Sequence, residues 1–405
     1  NAKGDHDLWN LVLNTGFIVS TSGSTIRPNV NMAIAKNTIS GSTTAMLEDT
    51  NVNAFYTSEY TGEDRPNDVY VNAYDDTDVT NNDIGISGTF DLGENTIFGL
   101  TAGAAGSTND ITRNVSAAVT AKDKTTVNVN ADKLKVKALS HSDIYTADAG
   151  VAVDFDLNAK FQLANSDVVS YINNSYNTTA FVKNTNSYNG GMDINADLVE
   201  KVCAKGVGIN LSVGNFDYHK PSLSVDVGVD VLNLKNGNRT EAGLIGNNIT
   251  HFGDADDIVK ANSNVKLEAI QGQGSAAIAI YGGALNALFT DSDIDDFTGV
   301  TISGSNIGSD EENNTPENKA KSLVIEANSK LKGNFNNGSG AAGTLVGISG
   351  MENFTKVDTS TVVNVSNSHL HADTIDVNAK ENLDVQALEV AATVGAANLS
   401  INRGH

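Results

Sequence analysis

Along much of the chain, apolar and polar residues alternate in steps of two, the spacing of a β-strand whose successive side chains point to opposite faces. One form of the alternation keeps returning: "DVYVNA" ending at Ala73, "TTVNVNA" at Ala131, "GMDINA" at Ala196, "NVKLEA" at Ala269, "SLVIEA" at Ala327 and "TIDVNA" at Ala379. In each copy the first and third positions are apolar, the fourth is Asn or Glu, and the fifth is Ala. Positions one, three and five share a face, so Val69, Val71, Val127, Val129, Ile194, Leu267, Ile325, Ile375 and Val377 are predicted to point into a common core. Counted from Val69, Val127, Met192, Val265, Leu323 and Ile375, the copies are spaced by 58, 65, 73, 58 and 52 residues. Elastic spacing around a constant strand is the mark of a stacked array with variable loops.

A second kind of segment follows the copies, rich in Gly and Ala with alternating aliphatics, as in "DIGISGTFDLG" from Asp83 and "GVAVDFDL" from Gly150. These also read as strands, with small residues letting the walls of a narrow interior approach and Val, Ile and Leu filling it. Asn-Gly and Asp-Gly hairpin signals are scarce, which favours parallel coiling over hairpins. The expected fold is all-β: a right-handed parallel β-helix (β-solenoid) with loop insertions, the alternative being an antiparallel β-sandwich or propeller. If a rung is three short strands of about 20 residues, each repeat holds about three rungs, giving about 20 rungs and about 95 Å of solenoid. "DLVEKVCAKG" and "YGGALNALF" could each form one or two helical turns. Residues 1–68 read as an N-terminal β-rich part or opening rungs, and 69–405 as the repeat-built solenoid, a piece of a longer chain.

Composition narrows the function. With Lys+Arg 26 against Asp+Glu 49, the net charge of -23 opposes nucleic acid and anionic lipid, which require cationic surface. A single cysteine, Cys203, excludes an internal disulfide framework and a Cys-based zinc site. No apolar run reaches the roughly 18 residues of a membrane-spanning helix, so no membrane insertion of this segment is expected.

Few stretches of the chain carry candidate chemistry. "DSDIDD" (Asp291, Asp293, Asp295, Asp296) begins like a calcium loop but has Asp296 where the loop needs Gly and Ile302 where it needs Glu. "GDADD" (Asp254, Asp256, Asp257) is a second acidic cluster, and "SHLHADT" places His369 and His371 on one side of a strand. No serine-nucleophile or phosphate-loop motif occurs. The expectation is no catalytic residue, no cofactor and no metal. Binding is expected in the insertions, above all 235–264, where Arg239, His251 and Phe252 form a candidate binding loop, with 306–322 as a solvated projection.

The recurring V-x-V-N-A strand followed by a Gly/Ala-rich strand resembles the passenger regions of bacterial type V secreted adhesins, of the filamentous-haemagglutinin-like and fusobacterial leukotoxin-like filamentous kinds. The resemblance implies a non-enzymatic stalk at the bacterial cell surface or in the extracellular medium, used for cell adhesion and virulence. Its expected partner is a host-cell or bacterial surface receptor or glycan, with end-to-end self-association as a further contact. The alternatives are a β-helical carbohydrate-active enzyme and a surface-layer or filament subunit.

Overall fold

The computed structural model describes residues 1–21, 26–54, 67–93, 96–122, 127–308 and 318–404. They wind into seven coils. The first is β1 (Ala2–Ser20), β2 (Ile26–Glu48) and β3 (Val52–Asn53), and the second is β4 (Val69–Asp91), β5 (Phe98–Thr120) and β6 (Asn128–Ala131). The third is β7 (Leu134–Asp156), β8 (Phe161–Lys183) and the opening residues of β9 (Asn186–Val213), whose remainder begins the fourth. β10 (Leu223–Ile245) returns that coil, and β11 (Asn248–Ile278) closes it and opens the fifth, which continues through β12 (Tyr281–Ser303) and β13 (Asn306–Ile307). The sixth is β14 (Ala320–Gly343), β15 (Val346–Ser366) and β16 (His369–Leu370), and the seventh is β17 (Ala372–Val394) and β18 (Ala397–Gly404).

All pairing is parallel and runs from coil to coil. The front sheet is β1-β4-β7-β9-β11-β14-β17 and the back sheet β2-β5-β8-β10-β12-β15-β18. The short strands stack as a narrow third side. The protein is therefore a parallel β-solenoid, and the antiparallel alternatives fall away because no described strand pairs with its own neighbour in a hairpin.

Its proportions correct the expected rung. A strand of 23 residues, as in β4, β5, β7 and β8, is about 75 Å long, whereas seven coils stack to only about 30 Å. One repeat is one coil, not three rungs, because the alternation runs unbroken through both kinds of segment. Val69, Leu134, Met192, Asp257, Leu323 and Ile375 stand one above another. Two of the six copies are thus out of line: Val127 leads into short strand β6, and Val265 lies further along β11, level with Leu331. The segments given as helical turns lie within β9 and β12, and no described residue is helical.

At one end, here called the corner, front strands begin, back strands finish, and the short side closes a triangle filled by residues such as Val71, Val119, Val129, Val136 and Ile194. Seven of the nine wall positions are buried as expected; Ile375 and Val377 are 45% and 49% exposed because β18 stops at Gly404 and no described strand faces that part of β17. Toward the opposite, far end the pattern inverts. Asp83, Ser87, Thr89 and Asp91 point inward and are buried, while Ile84, Ile86 and Phe90 point outward. The expectation that aliphatics fill this interior is corrected here by space: a Cβ on Gly85 would collide with the backbone carbonyl of Ala104, and one on Gly103 with that of Val151. Where the sheets come this close, the inner positions are taken by glycine and small or polar side chains instead of Val, Ile and Leu.

In five of the seven coils one residue sets the corner. After the back strand, Asp49, Asn184, Gly246, Gly304 and Asn367 all have left-handed backbone, with φ of 48°, 56°, 68°, 59° and 49°. Only Gly, Asn and Asp adopt that region cheaply. The following residues form a buried ladder: Asn247 Oδ1 accepts from Thr185 N at 3.0 Å, and Ser305 Oγ accepts from Asn247 N at 3.1 Å. This ladder turns the chain out of the back sheet without stranding backbone donors.

Candidate functional site

The candidate binding loop is not a loop. Residues 235–245 complete β10 and 248–264 belong to β11, because 235–264 continues the same period-two alternation through the corner. Arg239 lies on the outer face of the back sheet, held by Glu241 at 2.7 Å from both Nε and Nη2, and its guanidinium covers the ring of Phe297 at 4.6 Å. His251 is buried, its Nε2 2.9 Å from Asp257 Oδ2 and its Nδ1 3.1 Å from Asn189 Oδ1. Phe252 packs against Tyr188, ring centroids 5.1 Å apart. Arg239 is thus apart from the other two, and His251 closes the corner instead of meeting solvent. Most of 306–322, and most of "YTGEDRPND" at 60–68, lies outside the described residues.

The structure gathers exposed chemistry at the far edge instead. The described residues of three successive connections, 92–93 with 96–97, 157–160 and 214–222, surround a groove of about 610 Å³ whose lining includes Ile97, Asn158, Lys160, His219, Lys220 and Pro221. Each turn is fixed from beneath or within. Asp91 accepts from Gly93 N at 2.7 Å and Thr96 Oγ1 at 2.6 Å, and is itself paired with buried Arg27. Asp156 Oδ1 accepts from the backbone N–H of Asn158 and Ala159, at 2.9 and 2.8 Å. In the longest turn Asn215 Oδ1 accepts from Asp217 N, and Asp217 Oδ1 from His219 N, at 2.8 and 2.9 Å. This scaffold leaves Phe216 and Tyr218 54% and 86% exposed on the turn whose His219 and Lys220 line the groove with Lys160. On a chain of net charge -23, that is a local cationic and aromatic spot. The sequence signal was there in "NFDYHKP", where Asn and Asp two residues apart mark consecutive side-chain-capped turns around aromatics.

Two acidic groupings also stand out. On the outer front face Asp76, Asp78 and His141 bring ligand atoms within 4.8 Å of one another, with His141 Nδ1 2.8 Å from Asp76 Oδ1. The hydrogen bond from His141 holds the Asp76 carboxyl below its usual range, while burial, with Asp76 adding repulsion, pushes Asp78 up. Inside the solenoid, desolvation pushes Asp83 up to about 6 and Asp148, Asp154, Asp226 and Glu200 each up to about 7. Asp75 behaves oppositely: burial raises it, but hydrogen bonds from Arg113 and Thr43 outweigh burial and hold it below the ordinary carboxylate range. Of the acidic run at 291–296, Asp291, Asp293 and Asp295 face outward on β12, with Lys356 3.1 Å from Asp293, and Asp296 turns in; of the run at 254–257, Asp257 is buried against His251. The rings of His369 and His371 stack 6.4 Å apart on one side of the strand, as the alternation predicts.

No protein-family model, curated protein or solved structure matches the chain.

Proposed function

We propose that this chain is a non-enzymatic segment of a bacterial cell-surface or secreted adhesin, of the type V passenger kind, with the far-edge groove as its contact for an acidic glycan. One observation carries the reading: eight long strands keep a length of 23 residues, while the far-edge turns between front and back strands run from two residues at 279–280 to nine at 214–222. Constant walls with variable turns fit a scaffold whose recognition lies at its edge. The groove's Lys160, Lys220 and His219 suit carboxylate or sulfate groups, and Tyr218 offers a ring on which a sugar can stack.

The test is binding of the folded protein to immobilised polygalacturonate, heparin and sialylated oligosaccharides. Replacing Lys160, Lys220 and Tyr218 together by Ala should weaken binding at least tenfold, whereas Arg239→Ala should not change it. Binding as strong in the triple variant as in the parent would remove the groove from the reading and leave a plain stalk. Appearance of new reducing ends or unsaturated uronate during the incubation would favour the carbohydrate-active enzyme instead.

A further inference from the structure

Eleven acidic side chains are buried among the described residues, against Arg27, Arg113 and His251. These three side chains are each committed, to Asp91, Asp75 and Asp257. Most remaining acids have donors: Asp148 accepts from Ser107 and Ser170, Glu200 from Asn236 and Asn238, Asp296 from Ser263 and Ser329, and Asp230 from the backbone N–H of Val168. Asp154 has none. It is fully buried and neither carboxylate oxygen has a hydrogen-bond partner. Asp226, one coil on in the back sheet, is also fully buried; its Oδ2 accepts a long bond from Ser212 N at 3.3 Å, and the Ser212 hydroxyl and the Ala276 backbone N–H lie beside its carboxylate.

These groups converge. Ser212 is the direct ladder neighbour of Asp154, its buried hydroxyl lies beside Asp226, and Asp154 feels the charges of both Asp156 and Asp226. Leaving a buried carboxylate without partners is costly whichever form it takes, since a neutral carboxyl also needs hydrogen bonds. A bound cation resolves the cost at both acids together. The available donors are all oxygens, which selects a hard ion; irregular placement suits calcium better than magnesium, which demands near-octahedral geometry.

We infer that the far-end interior between the third and fourth coils is a calcium site, with Asp154 and Asp226 as charged ligands and the Ser212 hydroxyl as a neutral one. Asp156, two residues along the strand from Asp154, holds the backbone of Asn158 and Ala159 that lines the groove. The site is independent of the glycan reading: it concerns what neutralises the interior, whatever binds at the rim.

The experiment is calorimetric titration of the EDTA-treated, folded chain with calcium chloride and with magnesium chloride at pH 7.5, together with thermal unfolding in calcium and in EDTA. Calcium should bind once per chain at this site and raise the melting temperature, with magnesium at least tenfold weaker. Asp154→Asn and Asp226→Asn should each weaken calcium binding at least tenfold, and Ser212→Ala, which keeps both charges, about threefold. Asp154→Asn should melt in EDTA no lower than the parent, because it removes an uncompensated buried charge; this separates loss of the site from loss of the fold. Asp76→Asn, in the outer cluster, should leave the interior heat unchanged. Equal melting in calcium and EDTA with no calcium heat would overturn the inference, and so would calcium binding that survives the Asp154→Asn, Asp226→Asn double variant.

Discussion

A buried carboxylate in this protein is defined by what reaches it. Asp75 is held by Arg113, whose Nε lies 3.0 Å from its Oδ2, and by Thr43 Oγ1 at 2.8 Å. Arg113 and Asp75 are both almost fully buried, so removing one leaves the other's charge in low dielectric. Arg113→Ala should therefore cost about 3–5 kcal/mol in denaturant unfolding, while replacing both residues by Leu should cost less than the single change. The alternation puts Asp75 on the same side of its strand as Val71 and Ala73, and Arg113 on the same side as Ile111 and Val115. It did not announce that they meet, because they are 38 residues apart and the meeting depends on how the back strand is set against the front one.

At the level of the element, period two is clear in the sequence and the choice of inner face is not. Near the corner the inner positions are the apolar ones, and the wall residues Val71, Val129 and Ile194 could be read off directly. In the far half the same register carries Asp, Ser, Thr and Gly inward, and the more apolar positions lie outside. A reading that assigns every apolar row to the core goes wrong there, because the limit is the approach of the two sheets at Gly85 and Gly103. The corner itself was legible but overlooked: "DTNV" from 49, "NTNS" from 184, "GNNI" from 246, "GSNI" from 304 and "NSHL" from 367 repeat one left-handed residue followed by a small polar one. Gly304 has open space where a Cβ would go, its nearest neighbour 4.0 Å away, so its backbone conformation is the main constraint. Gly304→Asn should then be nearly neutral, as Asn fills the same place at 184 and 367, and Gly304→Val should lower stability by about 1–2 kcal/mol, both read from thermal unfolding.

For the whole molecule the interior acids set a pH dependence opposite to that of most proteins. Asp83, Asp148, Asp154, Asp226 and Glu200 hold protons in the folded state up to about 6 or 7, whereas the unfolded chain releases them near the ordinary values of 3.8 and 4.5. Between those limits the native state binds more protons than the unfolded state, so stability falls as pH rises through the window. In EDTA the melting temperature should drop by on the order of 10 °C from pH 4.5 to pH 7.5 and level off above it, a size set by several raised groups at about 1.4 kcal/mol per pKa unit. Asp75 contributes in the other direction, but its stabilisation is lost only when the pH falls below the ordinary carboxylate range. A melting temperature that instead climbs from pH 4.5 to 7.5 would show that the interior carboxylates are charged and compensated in the native state.

The sequence by itself determined that this chain is built of strands, favoured a parallel stack of repeats over an antiparallel sandwich or propeller, and carried the Gly, Asn and Asp that punctuate the turns. Those properties are local: alternation, β propensity and backbone permissiveness act over a few neighbouring residues. Tertiary structure decided that a repeat is a single coil, that the stretch containing Arg239, His251 and Phe252 is wall and corner rather than loop, and that three separate turns make one groove. It also decided which acids are buried without partners. Each of these depends on the distance between the front and back sheets and on the register between coils, quantities fixed by packing among residues tens of positions apart, which a periodic pattern leaves open.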